Sequence, residues 1–227
     1  MDRAKLHRIY RYFIDWLYPN VCPVCGKYID HDADLCAECK SGLRLYTGEY
    51  PIPGADGFAA YCLYSGSIKG AILHFKHDDC GNSYYAFAVG IYEAVKAKGF
   101  DDDIDLIVPI PSSKRSLKKR GYNQTELIAK ELRYLIGAPY ANVLEKVTET
   151  KEQKSLHMNE RAANVAGAFG IRKKAPEIKG KTILVIDDVC TTGSTLAEAA
   201  RTLKAAGAGK VYTAAFAKTP FNEAYNA

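Results

Sequence analysis

Two adjacent carboxylates and a cluster of hydroxyls stand close together in the C-terminal part of this 227-residue chain. Asp187 and Asp188 follow the apolar run 182–186, and the segment 191–195 then places hydroxyls around Gly193. A glycine lets a ligand approach the backbone, and the free N–H groups at a helix start favour a phosphate. Carboxylates would repel that phosphate, but they can accept hydrogen bonds from a diol. The pattern predicts a ribose 5-phosphate ligand whose 2′ and 3′ hydroxyls donate to Asp187 and Asp188. The predicted phosphate loop consists of Thr191, Thr192, Gly193, Ser194 and Thr195.

The same motif has a plainer interpretation, in which a strand ends and a Ser or Thr caps the next helix. One cap needs a single such residue, whereas here two acids and four hydroxyls surround a glycine. A P-loop is excluded because the lysine of its pattern is missing, and the G-x-G-x-x-G fingerprint of dinucleotide-binding proteins is missing too. The ligand-binding interpretation is therefore favoured.

Four cysteines near the N-terminus follow the spacing C-x2-C-x10-C-x2-C, at Cys22, Cys25, Cys36 and Cys39. Each pair can sit on one tight turn with both thiolates facing one ion, as in structural zinc sites. Two disulfides or four unrelated thiols are the alternatives. Both are disfavoured because the chain carries no recognisable export signal, which favours a reducing cytoplasm. We predict a structural Zn²⁺ with no open coordination position.

A basic segment follows the apolar run 106–110, with no acid inside it. Its cations are Lys114, Arg115, Lys118, Lys119 and Arg120. On charge alone, a solvated turn is the ordinary interpretation. Its position directly after a predicted buried strand favours instead an anion site at the carboxyl edge of a sheet.

The segments that must position these groups alternate between strand-like and helix-like patterns. Strands are predicted at 58–64, 106–110, 143–148, 168–171, 182–186 and 211–217, and helices at 67–76, 84–98, 125–136 and 194–206. Such alternation predicts right-handed crossovers and a mostly parallel sheet covered on both faces. The turn-rich segment 47–57 is interpreted as a linker.

The composition is that of an ordinary globular protein, with 48% hydrophobic and 25% charged residues, and it excludes wholesale disorder. A formal charge of +5 permits an anionic ligand or nucleic acid without requiring either. No apolar run approaches the ~18–20 residues of a membrane span, so we expect no stable membrane insertion and a cytoplasmic location. The segment 6–17 predicts an amphipathic helix that packs on the protein's own body.

The segment Asp-Asp-x-x-Thr-Thr-Gly-x-Thr resembles the phosphoribosyl pyrophosphate motif of type I phosphoribosyltransferases. The whole chain is more narrowly similar to the ComF/GntX family of competence-associated proteins. Four blocks carry this resemblance: the cysteine quartet, Phe75-Lys76, Pro109-Ile-Pro111 with the basic motif 119–124, and the segment 153–169 with Gln153, Arg161 and Asn164. Two positions depart from the family pattern. Lys146 stands where Arg is frequent, and Cys190 stands where an aliphatic or aromatic residue is common.

The resemblance implies an α/β type I phosphoribosyltransferase fold, Rossmann-like with a mostly parallel sheet and helices on both faces. It also implies an N-terminal helix and zinc module over residues 1–55, followed by the phosphoribosyltransferase domain over 56–227. The implied ligand is phosphoribosyl pyrophosphate with Mg²⁺, covered by a mobile loop at 149–164. Catalysis is assigned to Asp187, Asp188 and Arg161. Further ligand contacts are implied for Ser112, Ser113, Lys114, Arg115, Lys76 and Gln153.

The expected reaction is displacement of pyrophosphate by an acceptor nucleophile, and the sequence does not identify that acceptor or the oligomeric state. The alternative is a competence factor that binds single-stranded DNA, in which the phosphoribosyl site is regulatory or vestigial. In that case the partners would be single-stranded DNA and a competence helicase, during DNA uptake. Salt-dependent binding of an oligonucleotide would distinguish the two functions.

Overall fold

The computed structural model describes Ile9, Tyr12, Trp16 and residues 19–77, 83–147 and 167–220. Its strands are β1 Gly57–Leu63, β2 Leu106–Pro109, β3 Leu144–Lys146, β4 Phe169–Ile171, β5 Thr182–Cys190 and β6 Lys210–Lys218. Its helices are α1 Ala37–Ser41, α2 Gly66–His77, α3 Ser83–Ala97, α4 Lys114–Arg120, α5 Gln124–Ile136 and α6 Ser194–Ala205, with a 3-10 turn at Asp101–Asp103. Gln153, Arg161, the predicted loop 149–164 and the side chain of Lys76 lie outside the described residues.

Four parallel strands form the main sheet in the order β1-β6-β5-β2. The central strand β5 carries Ile183, Leu184, Val185 and Ile186, all fully buried, because helices and side chains cover both of its faces. β2 pairs with β5 in parallel from Leu106↔Ile183 to Pro109↔Ile186. The chain therefore leaves β2 and β5 at the same edge of the sheet, and β5 continues past Ile186 to Cys190.

Two apolar clusters fill the two faces of the sheet. One contains the inward sides of α2, α3 and α5, represented by Ile72, Phe87 and Ile128. The other contains α6 and the antiparallel pair β3–β4, represented by Leu203 and Phe169. The α/β fold with helices on both faces is thus confirmed, and β3 and β4 form a separate two-stranded sheet.

The predicted Phe75-Lys76 block begins with a core residue. Phe75 is fully buried and packs edge-to-face on Phe87, with ring centroids 4.8 Å apart. Phe87 in turn contacts Phe216 of β6 at 4.2 Å between centroids. This aromatic row anchors the end of α2 to the sheet, so the backbone at Lys76 has a fixed position.

The cysteine module packs on the sheet's own core. Cys22 and Leu35 belong to the same buried cluster as α3, and the Tyr85 hydroxyl donates to the Asp32 carbonyl at 3.4 Å. Beyond the module, the backbone at Arg44 and Tyr46 bonds to β1 through Leu63 N–Arg44 O (2.8 Å) and Tyr46 N–Tyr61 O (2.9 Å). These bonds cover the outer side of β1, which β6 does not pair.

The N-terminal helix is present at Ile9, Tyr12 and Trp16. Ile9 and Trp16 belong to the face that was expected to pack on the protein, yet their exposed fractions are 46% and 82%. Tyr12 contacts the His31 ring edge-to-face at 5.2 Å. Within the described ranges, no helix combines the length and apolarity that crossing a bilayer requires.

Candidate functional site

The two adjacent aspartates lie inside β5, because this strand continues to Cys190 instead of ending at residue 186 as predicted. Its pairing with β6 runs through Asp187↔Ala215 to Cys190↔Lys218. Neighbouring side chains of a strand point to opposite faces, so Asp187 and Asp188 flank the strand from two sides. Asp188 is buried, and the Asp187 carboxylate accepts the Asp188 N–H at 2.8 Å. A ligand that reaches both carboxylates must lie across the strand end.

Gly193 shapes the turn between β5 and α6. Its φ is +74°, in the left-handed region that favours glycine. A Cβ at this position would lie 2.5 Å from Ile52 Cδ1 and 3.3 Å from Tyr50 Cε1. The backbone therefore approaches the segment 50–52 more closely than any other residue type would allow.

The hydroxyls of this turn are not explained by helix capping. The N-cap of α6 is Gly193, and the structure records no side-chain cap hydrogen bond for this helix. The hydroxyls of Thr192 and Ser194 instead contact each other at 2.9 Å and remain half-buried. The alternative of an ordinary Ser/Thr cap therefore loses its main support, and the ligand role of the hydroxyl cluster stays a prediction.

The basic segment after β2 is a helix, which the sequence interpretation missed. Ser113 caps α4 by accepting the Ser116 N–H at 3.1 Å, and Gly121 ends the helix with φ +81°. Lys114 and Arg115 are exposed at its start. The Ser-x-x-Ser start and the terminal glycine were the available signals.

The motif 122–125, which overlaps the family block 119–124, connects the turn after β2 to neighbouring elements through hydrogen bonds. Asn123 Nδ2 and Thr125 Oγ1 both donate to the Ile110 carbonyl, at 3.1 and 2.6 Å. The Ser112 hydroxyl donates to Asn123 Oδ1 at 2.9 Å. Gln124 Nε2 donates to the Phe75 carbonyl at 3.2 Å. The turn after β2 and the backbone that carries Lys76 are thus fixed to the start of α5.

Lys146 is a further residue of this region. It ends β3 and is partly buried, and desolvation lowers the pKa of its amine, opposed by the nearby Asp187 carboxylate. Lys146, which stands where the family often has Arg, therefore still provides a basic side chain on the Asp187 side of β5. Cys190 is buried, which raises the pKa of its thiol to about 12. A neutral thiol at this position packs as an apolar group.

The four cysteines of the N-terminal module converge as predicted. Their sulfurs all lie within 4.8 Å of one another, and Cys25 Sγ is 3.7 Å from Cys36 Sγ. Tetrahedral zinc with ~2.3 Å Zn–S bonds places sulfurs about 3.8 Å apart, whereas a disulfide needs about 2.05 Å. The Cys39 N–H donates to Cys36 Sγ at 3.4 Å and lowers the pKa of the Cys36 thiol to about 7. Four convergent sulfurs fit a closed, structural zinc site.

The sheet, the Asp-Asp strand end and the hydroxyl turn define a protein with a type I phosphoribosyltransferase fold. The Phosphoribosyl transferase domain family matches residues 116–223, and the Double zinc ribbon domain family matches residues 13–50. The adenine phosphoribosyltransferase of Saccharomyces cerevisiae is similar with a TM-score of 0.41 and 16% identity, covering 61% of this chain and 69% of that one. The fold assignment rests on the sheet and on the family match.

Two curated relatives cover most of the chain. Competence protein F of Haemophilus influenzae is 30% identical over 201 residues, which is 85% of this chain and 87% of that protein. DNA utilization protein YhgH of Salmonella typhimurium is 34% identical over 203 residues, with the same shares. The chain belongs to the ComF/GntX family, as the resemblance implied.

Proposed function

We propose that this protein binds phosphoribosyl pyrophosphate and transfers its phosphoribosyl group to an acceptor nucleophile. The observation that carries the proposal is the shared edge of β2 and β5. Asp187 and Asp188 lie in the C-terminal part of β5, and the 191–195 turn follows this strand. Ser112 and Ser113 follow β2, and Lys114 and Arg115 begin α4. The carboxylates suit the ribose diol, the hydroxyl-rich turn suits the 5′-phosphate, and the cations suit the pyrophosphate of this ligand.

In the proposed complex, Asp187 and Asp188 accept hydrogen bonds from the ribose hydroxyls, and the turn of Thr191, Thr192, Gly193, Ser194 and Thr195 holds the 5′-phosphate. Ser112, Ser113, Lys114 and Arg115 hold the pyrophosphate. When bound, Mg²⁺ would neutralise pyrophosphate charge and be held chiefly by ligand oxygens. Lys76, Gln153 and the catalytic assignment of Arg161 stay predictions from the family resemblance.

The proposed transfer is a substitution at C1 of the ribose. The acceptor's lone pair forms the new bond as the C1–O bond breaks, and the bonding electrons leave with pyrophosphate. The acceptor atom then loses its proton to solvent or to a basic group of the acceptor molecule. Cations beside the pyrophosphate stabilise the charge that gathers there as the bond breaks.

Calorimetry with phosphoribosyl pyrophosphate and Mg²⁺ tests this function. The double variant Asp187→Asn, Asp188→Asn should bind at least about 100-fold more weakly, because two hydrogen bonds lose their charged acceptors. The matched control is Asp101→Asn, Asp102→Asn, which neutralises two adjacent aspartates of the 3-10 turn. Absence of binding by the unaltered protein, or equal binding by all three proteins, would count against the proposal.

A second function, binding of single-stranded DNA, is favoured by α4 and by the relatives' names. Lys114, Arg115, Lys118 and Lys119 are exposed on this helix. Relatives are named for competence and DNA utilization, and the phosphoribosyl site would then be regulatory or vestigial. Binding of a labelled oligonucleotide should weaken steeply with salt, by a log–log slope of about −0.7 per phosphate contacted.

The variant Lys118→Ala, Lys119→Ala should reduce that salt slope, whereas Lys173→Ala, Lys174→Ala, an exposed pair elsewhere, should leave it unchanged. Repeating the titration with phosphoribosyl pyrophosphate tests whether the two ligands are coupled. Weak binding with a shallow slope would exclude this second function.

A further inference from the structure

A buried lysine outside the Asp-Asp motif contacts the phosphate turn from the protein interior. Lys218 ends β6, and only 3% of its surface is exposed. Its amine donates to the Thr191 carbonyl at 2.7 Å and to the Thr219 carbonyl at 3.0 Å. Burial of an ammonium group costs free energy unless hydrogen bonds compensate for its lost hydration. The position of Lys218 beside this turn therefore needs a physical explanation.

Tyr50 contacts the next peptide of the same turn. Its hydroxyl donates to the Thr192 carbonyl at 3.1 Å, and its ring centroid lies 4.0 Å from Lys218 Nζ. Ile52, from the same segment, lies against Gly193. Two consecutive carbonyls of the turn are therefore held by residues that lie far away in sequence and that the motif does not include.

These bonds determine which way the turn presents its N–H groups. The chain has no cis peptide bonds among the described residues, and in a trans peptide the C=O and N–H point in opposite directions. Because the Thr191 carbonyl faces Lys218, the Thr192 N–H of the same peptide points away from it. An anion on that side would be bound by the N–H, with the Thr191–Thr192 peptide between it and the Lys218 ammonium.

Lys218 lacks a carboxylate partner among the residues that the structure describes, since its bonds go to carbonyls. The groups that face its amine are the Tyr50 ring and, from β5, the Cys190 thiol. None of these carries a full negative charge when the thiol is protonated. A phosphate bound by the Thr192 N–H would be attracted to this positive charge through the peptide that the ammonium polarises.

We propose that Lys218 and Tyr50 are positioning residues that hold the 191–193 backbone in its phosphate-binding shape, with Lys218 adding a buried positive charge. This inference rests on the proposed function and assigns its effect to the 5′-phosphate end of the ligand. Pyrophosphate alone, which would occupy the turn after β2, should be bound independently of Lys218.

Calorimetry with two separate probes, ribose 5-phosphate and inorganic pyrophosphate, tests this inference. Lys218→Met should weaken ribose 5-phosphate binding by roughly 10–100-fold, the effect of losing a charged hydrogen-bond partner, and should change pyrophosphate binding by less than about twofold. Tyr50→Phe should weaken ribose 5-phosphate binding by about 3–10-fold with the fold intact. Lys210→Met, at the exposed start of the same strand, is the matched control and should change neither affinity.

The possible outcomes distinguish this inference from the proposed function on which it rests. If the unaltered protein binds phosphoribosyl pyrophosphate but Lys218→Met and Tyr50→Phe bind ribose 5-phosphate normally, the inference is wrong and the function stands. Equal loss for both probes would show a merely structural role and would also overturn it. If Lys218→Met does not fold, the Tyr50→Phe result decides alone. If the unaltered protein binds phosphoribosyl pyrophosphate but not ribose 5-phosphate, the inference is overturned; if it does not bind phosphoribosyl pyrophosphate, both are overturned.

Discussion

The zinc centre and the 191–195 turn are built in opposite ways. The zinc centre takes all its ligands from residues 22–39, and two short turns bring the sulfurs together. The 191–195 turn follows the two aspartates in sequence, but the residues that contact its backbone, Tyr50, Ile52 and Lys218, lie far from it in the chain. When all the ligands of a site come from one short segment, their spacing in the sequence identifies the site. When distant residues support a site, the sequence motif identifies only the residues predicted to contact the ligand.

The largest expected effect comes from breaking the local site. Cys22→Ser should abolish stoichiometric zinc binding and lower the free energy of unfolding by at least about 3 kcal/mol, because metal binding here contributes to folding and Cys22 lies in the main core. Zinc content by mass spectrometry and a thermal melt check this. Cys62→Ala, a buried cysteine outside the quartet, should keep one zinc per chain. Retention of zinc by Cys22→Ser would contradict the assignment of the ligand set.

A smaller effect should follow from disturbing the contact between the 191–195 turn and the segment 50–52. Gly193→Ala should cost about 2 kcal/mol of stability, since it adds left-handed strain and a contact with Ile52. Phosphoribosyl pyrophosphate binding should fall at least about tenfold, because a shifted turn misplaces its hydrogen-bond donors.

The control for this change is Gly180→Ala. Gly180 has φ +72°, but no atom lies within 4 Å of the place that a Cβ would take, so this substitution adds the backbone strain alone. It should lose about 1 kcal/mol of stability with unchanged ligand affinity. Equal ligand affinity in the two variants would show that the turn does not depend on close packing against the segment 50–52.

The smallest effect is expected at the surface of the zinc module. Lys27→Ala removes an ion pair with Glu38, in which both side chains are largely exposed. Solvent and salt screen such a pair, so the melting temperature and the zinc content should not change measurably. A clear loss of zinc in this variant would mean that surface charges, and not only the four sulfurs, hold the module together.

The sequence predicted the strands and helices of the sheet because their apolar runs are long and regular. It placed the end of β5 too early, since two aspartates resemble a strand end, although backbone pairing with β6 continues to Cys190. It missed α4 because charges dominate that segment. It also interpreted 47–57 as a linker from its prolines and glycines. Tyr50 and Ile52 contact a turn about 140 residues later, and no local pattern encodes such a contact.

The residues that cover the outer side of β1 bear on how fragments of this protein would behave. A fragment that begins at residue 56 would lack Arg44 and Tyr46, and the free backbone groups of β1 would become an open sheet edge. Such edges pair with other chains, so this fragment should form soluble oligomers or precipitate. A fragment that begins before Leu43 would retain the backbone of Arg44 and Tyr46 that bonds to β1, and it should stay monodisperse in size-exclusion chromatography.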